Sequence, residues 1–313
     1  MSSRIDHDFG GLPDWAQRPL VMQIFAQAHA LGGEARIVGG AVRDWLSNYP
    51  VGDIDMAINL PIETVARHMV ACDMRVVETG LKHGTITLYD DDDQIELTQT
   101  RVDLETDGRH AIVAHDQDWA RDAARRDFTI NALYLDSSGG IFDPLDGKAD
   151  LKAGRLRFAG DAGLRVQEDA LRMIRYCRFL PRFAATGIDP QAQTALREHA
   201  SLCAGLSGER IANEMRRIMV GGGLKEVIGL MQDSKIDQAA LGLSLDPSRL
   251  ANDDEIGSMI AGLGANVDFA WLANLAVAMP SGSAVLLAKR LRLSRAEERC
   301  LARLDLGLGH DDM

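Results

Sequence analysis

The spacing of apolar residues changes near residue 155, and this change limits the possible folds more than any other feature of the chain. Before it, short segments alternate between apolar and polar residues, as strands do. After it, apolar residues recur at intervals of three and four, which is the helical period. The sequence therefore predicts an α+β unit with a mixed sheet over 1–155, followed by an all-helical part.

Local patterns predict individual elements within these two parts. Turn-forming residues bound the strand-like segments, and the acidic run 90–93 indicates a hairpin turn. In the first part we expect strands at 35–38, 53–58, 85–89, 94–100 and 128–135, with helices at 41–46 and 61–71. In the second part we expect helices at 166–183, 190–202, 207–220 and 222–232.

The net charge is −12, but it is unevenly distributed along the chain. Residues 148–217 contain thirteen Lys and Arg against eight Asp and Glu, a local excess of +5, which leaves −17 on the rest. This balance excludes a generally basic, polyanion-binding surface. A basic segment on an acidic protein instead indicates a directed anionic partner.

The cysteines and the apolar segments indicate the compartment. The four cysteines form no CxxC pair, which argues against a zinc ribbon or a disulfide scaffold and favours a reducing compartment. The first residues lack the apolar segment of a signal peptide, and the longest apolar stretch, 269–279, is too short to span a bilayer. We therefore expect a cytoplasmic protein without membrane association, and no feature predicts an obligate protein partner.

Two adjacent glycines, Gly39 and Gly40, follow the first predicted strand and open a predicted helix. Without side chains, the backbone can approach a phosphate closely, and the first N–H groups of the helix can donate to it. Arg43 lies in the first helical turn, where it can add charge-assisted hydrogen bonds. The same residues also suit a tight strand-to-helix turn that binds nothing.

Acidic residues in two predicted strands form a possible metal site. Asp53 and Asp55 are two apart, so in a strand they would share a face and repel each other. A divalent cation would relieve the repulsion, and Mg²⁺ favours one or two carboxylates plus substrate phosphates. Glu96 lies between apolar neighbours in another strand and could complete the cluster. Alternatively, Asp53 and Asp55 are two exposed acids on an edge strand, and Glu96 faces solvent from a half-buried strand.

Charged residues before the last predicted strand and on the first long helix could bind a nucleotide. Arg126 and Asp127 could contact a phosphate and a ribose, or form a surface salt bridge. Asp169 and Arg172 are three apart and would share a helix face, where an ion pair contributes a few tenths of a kcal/mol. Two further arginines continue that row and would repel one another unless an anion lay among them: Arg175 and Arg178.

Five segments occur in the order found in one enzyme family. They lie between about residues 20 and 220 and resemble the class II tRNA nucleotidyltransferases, the CCA-adding enzymes, and their bacterial poly(A) polymerase relatives. Each segment is unspecific by itself, but five in this order are specific. They read GGAVRD, GDID, RRDFTINA, EDALRMIRYCRF and SGERIANEM, and residues 106–111 (TDGRHA) also resemble the family.

The resemblance implies a domain organisation and a reaction. The expected domains are a nucleotidyltransferase palm-type head over 1–155, a helical neck with the base-reading helix over 156–220, and a helical body over 221–313. The implied reaction is template-independent addition of C and A to tRNA 3′ ends, with CTP and ATP as substrates and Mg²⁺ as cofactor.

The resemblance also assigns roles to residues. Asp53 and Asp55 would bind Mg²⁺, and Glu96 would be a third catalytic carboxylate. Asp169 and Arg172 would read the incoming base. The full set of implied nucleotide-binding residues is Gly39, Gly40, Arg43, Arg126, Asp127, Asp169, Arg172, Arg175 and Arg178.

Three alternatives to CCA addition remain at this point. A poly(A) polymerase would add A to RNA 3′ ends, but those enzymes tend to have Lys before the first Asp, where this chain has Gly52. A non-catalytic RNA-binding module is disfavoured by the intact pair Asp53 and Asp55. A metal phosphohydrolase is disfavoured because the sequence has no HExxH motif and no His cluster around these aspartates.

Overall fold

The computed structural model describes residues 4–5, 11–81, 84–106, 111–250 and 269–308. It divides the chain into two compact units, Met1–Asp161 and Ala162–Met313. Residues 107–110, within the TDGRHA segment, lie outside the described ranges. The boundary between the units in the sequence lies a few residues after the predicted one at 155. The predicted division between neck and body at 220 stays a prediction.

The first unit is built on a mixed sheet flanked by helices, and the predicted α+β class is confirmed. The described strands of this sheet follow the order β1-β10-β9-β2-β3-β6-β5-β4, and β7 and β8 pair separately. The strands are Arg4–Ile5 (β1), Ala35–Val38 (β2), Asp55–Ile58 (β3), Arg75–Gly80 (β4), Thr85–Tyr89 (β5), Gln94–Gln99 (β6), Arg101–Thr106 (β7), Ala111–His115 (β8), Tyr134–Leu135 (β9) and Ile141–Phe142 (β10).

Side-chain alternation along β3 directs successive residues to the two faces of the sheet. Met56 and Ile58 belong to the larger core, whereas Ala57 packs in a smaller cluster with Trp119 on the other face. Asp55 shares the face of Ala57. The helices of this unit are Pro19–Ala30 (α1), Gly40–Leu46 (α2), Ile62–Ala71 (α3), Trp119–Ala124 (α4) and Gly147–Ala153 (α5).

The predicted strand at 128–135 is wrong in its first half. Phe128 forms only an isolated bridge, Thr129–Asn131 is a 3-10 helix, and the strand β9 begins at Tyr134. Residues 128–135 are all buried, so they carry no alternation of the kind that distinguishes a half-buried strand. The turn is instead fixed by the Asn131 side chain, which donates to Asp127.

The described part of the second unit is helical. The predicted helix at 166–183 is two helices that are separated at residues 169–170, where the Asp169 carboxylate accepts a hydrogen bond from the Leu171 backbone N–H. No described helix is long and apolar enough to cross a membrane. The helices are Ala162–Glu168 (α6), Leu171–Phe183 (α7), Pro190–His199 (α8), Gly208–Met219 (α9), Leu224–Asp233 (α10), Ile236–Leu241 (α11), Ala270–Ala278 (α12), Ala284–Leu291 (α13) and Arg295–Leu308 (α14).

Candidate active site

The turn between β2 and α2 requires glycine at position 39. Gly39 has φ +74° and ψ −120°, a conformation that side chains strongly disfavour. Its backbone N–H donates to the Leu133 carbonyl at 3.1 Å. A Cβ on Gly39 would lie 3.6 Å from the Asn131 carbonyl oxygen and 3.7 Å from Arg126 Nη1. The turn therefore brings bare backbone close to a cationic side chain.

The strand register places two of the predicted carboxylates side by side. Val38 in β2 pairs with Asp55 in β3, and Asp55 pairs with Glu96 in the parallel neighbour β6. The Gly39 turn, Asp55 and Glu96 therefore follow one another across three adjacent strands. Asp53 precedes β3 instead of lying within it, and the carboxylate-bearing residues Asp53, Asp55 and Glu96 are all exposed.

The electrostatics around Asp53, Asp55 and Glu96 favour binding of a cation. The pKa of Asp55 is raised to about 6, first by desolvation from the surrounding protein and next by the charge of Glu96. Asp53 raises the pKa of Asp55 further, while Arg126 lowers it. These carboxylates therefore repel one another at neutral pH, and a bound cation would relieve that repulsion.

The donor set suits Mg²⁺ if substrate completes it. Among the residues that the structure describes, no group of three or more His, Cys, Asp or Glu is placed to hold a metal ion unaided. Mg²⁺ commonly takes one or two carboxylates and completes its shell with phosphate oxygens and water. Asp53 and Asp55 fit that coordination preference, and their role as metal ligands stays a prediction.

Arg126 is held by a buried acid on α4. Its Nη2 donates to Asp122 at 3.1 Å and its Nε to the Tyr134 hydroxyl at 3.0 Å. Burial alone would raise the pKa of Asp122, but the charges of Arg126 and Arg125 hold that pKa below its usual value. Arg126 therefore stays charged and fixed beside the Gly39 turn.

Arg43 and Asp127 are joined through Asn131. Arg43 Nη1 donates to Asn131 Oδ1 at 2.6 Å, and Asn131 Nδ2 donates to Asp127 Oδ1 at 2.9 Å. Arg43 Nε also donates to Asp44 at 2.8 Å. The sequence analysis named Arg43 and Asp127 but missed Asn131, which sets the orientation of both.

The second unit contains the predicted base-reading residues. Asp169 accepts from Arg210 Nη2 at 2.7 Å, and Arg172 Nη1 donates to Glu168 at 2.7 Å and to the Arg165 carbonyl at 2.8 Å. Both side chains are thus held by partners on α6 and α9. Their hydrogen-bonding groups are fixed in direction before any ligand binds.

Arg175 and Arg178 face an anion that the protein itself supplies. Glu214 on α9 is 4% exposed and lies 2.7 Å from Arg178 Nε and 3.9 Å from Arg175 Nη1. Arg178 also stacks over the Phe179 ring at 4.3 Å. The repulsion expected along this arginine row is therefore relieved internally, and a phosphate is not required to explain it.

Two family models match the chain. The poly A polymerase head domain matches residues 35–157, and the probable RNA and SrmB-binding site of polymerase A matches residues 187–240. Together they cover more than half of the chain. The chain belongs to the tRNA nucleotidyltransferase and poly(A) polymerase family.

Similar proteins from animals and bacteria share this family assignment. The chain is 41% identical over 220 residues to CCA tRNA nucleotidyltransferase 1, mitochondrial, of Danio rerio, covering 66% of this chain and 51% of that protein. It is 32% identical over 235 residues to the CCA-adding enzyme of Lactobacillus johnsonii, covering 74% and 57%. The matched part thus spans about half the length of these curated relatives.

Solved structures of the family share the fold. The CCA-adding enzyme of Bacillus stearothermophilus in complex with CTP aligns with a TM-score of 0.73 and 24% identity, covering 96% of this chain and 71% of that one. A tRNA nucleotidyltransferase complexed with a primer tRNA and an incoming ATP analog aligns with a TM-score of 0.67 and 19% identity, covering 91% and 84%.

Three residues that the sequence analysis did not name lie within segments that resemble the family. Asn131 lies within the RRDFTINA segment, and Arg210 and Glu214 lie within SGERIANEM. Each accepts from or pairs with a residue that the family resemblance had named. Asp122, four residues before Arg126, gave a helical i,i+4 signal that could have found it.

Asn131→Ala is expected to destabilise the protein by about 1–3 kcal/mol, because a buried arginine donor and a carboxylate each lose a partner. Asn131 is 7% exposed.

Asn213→Ala is the matched control, since the exposed Asn213 also accepts from an arginine, Arg216, at 2.9 Å. We expect that control to change stability by less than about 0.5 kcal/mol. Urea denaturation measures both, and equal losses would contradict a relay at Asn131.

Proposed function

We propose that this protein adds C and A nucleotides to the 3′ end of tRNA, using CTP and ATP and releasing pyrophosphate. The observation that carries the proposal is the alignment of the Gly39 turn, Asp55 and Glu96 across adjacent strands, beside the fixed cation Arg126. The names of the similar proteins support the same reaction. A cytoplasmic location stays a prediction, because vertebrate relatives are named as mitochondrial.

In the proposed reaction, the RNA 3′-hydroxyl attacks the α-phosphorus of the triphosphate, and the bond to pyrophosphate breaks. The Gly39–Gly40 backbone and the cations Arg43 and Arg126 stabilise the negative charge on the phosphates. Asp127 contacts the ribose and, through Asn131, orients Arg43. When bound at Asp53 and Asp55, Mg²⁺ supplies charge stabilisation for the attacking and leaving oxygens.

Poly(A) polymerase activity is the second candidate. One sequence observation favours tRNA as substrate over it, namely Gly52 immediately before Asp53. The proposed base readers Asp169 and Arg172 would accept C and A alike, which suits CCA addition better than A addition alone.

The deciding experiment offers tRNA lacking its terminal CCA to the protein with each labelled triphosphate separately and in combination. CCA addition predicts two C residues from CTP alone and a final A when ATP is also present. Long A tracts from ATP alone would identify a poly(A) polymerase. No incorporation under any condition would overturn the proposal.

Activity at limiting Mg²⁺ is expected to fall about tenfold per pH unit below pH 6, because the ionised Asp55 is the metal-binding form and its pKa is about 6. Mg²⁺ competes with the proton, so raising its concentration should move the midpoint to lower pH. Initial rates from pH 5 to 8 at two Mg²⁺ concentrations measure this. A pH midpoint that does not change with Mg²⁺ concentration would contradict the assignment of Asp55 as a metal ligand.

A further inference from the structure

A cluster of three polar side chains joins helix α1 to the end of helix α3. His68 lies in the last turn of α3, Cys72 is the residue that ends that helix, and Gln27 lies on α1. Both helices pack on the larger core, on the opposite face of the sheet from Asp55. The cluster is therefore separate from the candidate active site. We refer to these three residues as the His–Cys–Gln cluster.

The three donor atoms of the His–Cys–Gln cluster form a compact triangle. His68 Nε2 lies 2.8 Å from Gln27 Oε1 and 3.7 Å from Cys72 Sγ. The Cys72 thiol donates to the same Gln27 oxygen at 3.4 Å. One amide oxygen thus holds the imidazole and the thiol together, so all three atoms can contact a single small ion.

The dimensions of this triangle suit one tetrahedral zinc ion. Zinc lies about 2.3 Å from a Cys sulfur and about 2.0–2.2 Å from a nitrogen or oxygen ligand. At those distances, the three separations correspond to N–Zn–S, O–Zn–S and N–Zn–O angles of roughly 115°, 100° and 85°. Such angles place the ion on one side of the triangle and leave a fourth position for water.

The surroundings of the cluster give an ion access and room. Cys72 is exposed, whereas Cys177 and Cys203 are buried. Cys72 and Gln27 line a surface pocket of about 510 Å³. His68 and Cys72 are four residues apart, which is the spacing at which two ligands on one helix face bind a single zinc ion. Access, space and ligand spacing therefore agree with the distances.

We propose that the His–Cys–Gln cluster binds a soft divalent ion, and that Zn²⁺ is the ion it fits. A thiolate and an imidazole favour zinc over magnesium, which takes oxygen ligands. Because the third ligand is an amide oxygen, we expect weaker binding than in a structural site of four Cys and His ligands. Binding replaces the hydrogen bonds to Gln27 with bonds to the ion and ties α1 to α3.

The test compares two double variants of the full chain, each lacking one thiol and one imidazole. The first carries Cys72→Ser and His68→Ala. The control carries Cys300→Ser and His199→Ala, which removes a partly exposed cysteine and a histidine that also contacts a glutamine, Gln167, at 3.4 Å. Zn²⁺ binding to reduced, EDTA-treated protein is measured by calorimetry. Excess Mg²⁺ is present throughout, because it competes for sites made of carboxylates alone.

We expect the wild type and the control to bind one Zn²⁺, and the first variant to bind it roughly tenfold or more weakly. At about ten times its Kd, Zn²⁺ should raise the melting temperature of the wild type by about 2–4 °C, since it binds only the folded cluster. The first variant should show no such rise. Co²⁺ should give a sulfur-to-metal charge-transfer absorption in the wild type, and this band should be absent from the first variant.

A second measurement uses the wild type alone and so does not depend on the folding of any variant. Excess Zn²⁺ should slow alkylation of Cys72 by iodoacetamide about tenfold, because the thiolate is then held by the metal, and leave the rate at Cys300 unchanged. Peptide mass spectrometry follows both sites. Equal rates at Cys72 with and without Zn²⁺ would overturn the inference, as would equal Zn²⁺ affinities in the two double variants. Neither readout uses nucleotide incorporation, so the outcome is independent of the proposed function.

Discussion

Asp55→Asn is expected to lower nucleotide incorporation by a thousandfold or more, equivalent to about 4 kcal/mol of transition-state stabilisation. The amide keeps the size of the side chain but removes the charge that would hold a metal ion beside Glu96 and the Gly39 turn. Asp53→Asn is expected to have a comparable effect, since it removes the other proposed ligand. Single-turnover incorporation of CTP into tRNA lacking its CCA end measures both.

The same change should leave the fold intact and stabilise it at neutral pH. The pKa of Asp55 is about 6 in the folded protein, above the usual value for an unfolded chain of about 3.9. The folded state therefore binds this proton more tightly, and stability is lost as pH rises from about 4 to 6. Asp55→Asn removes that loss, so its melting temperature should exceed that of the wild type at pH 8 and match it near pH 4.

Asp91→Asn provides the matched control for this prediction. Asp91 is an exposed acid in the turn between β5 and β6, so its replacement changes the net charge equally. We expect normal incorporation and a normal melting temperature. Near-normal activity of Asp55→Asn would contradict the metal assignment, and a lower melting temperature at pH 8 would contradict the electrostatic one.

Asp169→Asn is expected to reduce discrimination against UTP and GTP by about ten- to a hundredfold. A carboxylate only accepts hydrogen bonds and a guanidinium only donates them. If Asp169 and Arg172 read the base, as proposed, their acceptor and donor together would match the amino group and ring nitrogen of C and A, and would leave U and G unpaired. The amide of Asn can also donate, so it can pair with the carbonyl of U or G.

The structure supplies the control for this second prediction. Asp169 is paired with Arg210 at 2.7 Å, so Asp169→Asn also breaks an ion pair. Arg210→Gln breaks the same pair but keeps the carboxylate, and it should preserve most of the selectivity. Arg172→Ala should lower the use of CTP and ATP together.

Ratios of kcat/KM among the four triphosphates decide between base reading and a simple ion pair. A partly exposed ion pair contributes about 0–1 kcal/mol to stability and nothing to selectivity. Unchanged ratios in Asp169→Asn would therefore mean that the base is read elsewhere. Equal losses of selectivity in Asp169→Asn and Arg210→Gln would assign the effect to the ion pair.

The sequence by itself determined those features that depend on neighbouring residues. The strands Ala35–Val38 and Thr85–Tyr89 occur where the sequence predicted them, because a short run rich in β-branched and apolar residues, bounded by turn residues, is a local signal of a strand. The glycine turn after β2 was also predictable, since the conformation of Gly39 is one that only glycine adopts easily. The order of the motifs predicted the family.

Only the tertiary structure decided which distant residues meet. Asp55 and Glu96 are forty-one positions apart, and the parallel register of β3 and β6 makes them neighbours. The same holds for Arg43 with Asn131 and for Arg178 with Glu214. Sequence periodicity fixes the face on which a side chain lies, but not the strand or helix packed against that face. The register of long-range pairing and the burial that it creates are cooperative properties of the whole unit, which no local pattern encodes.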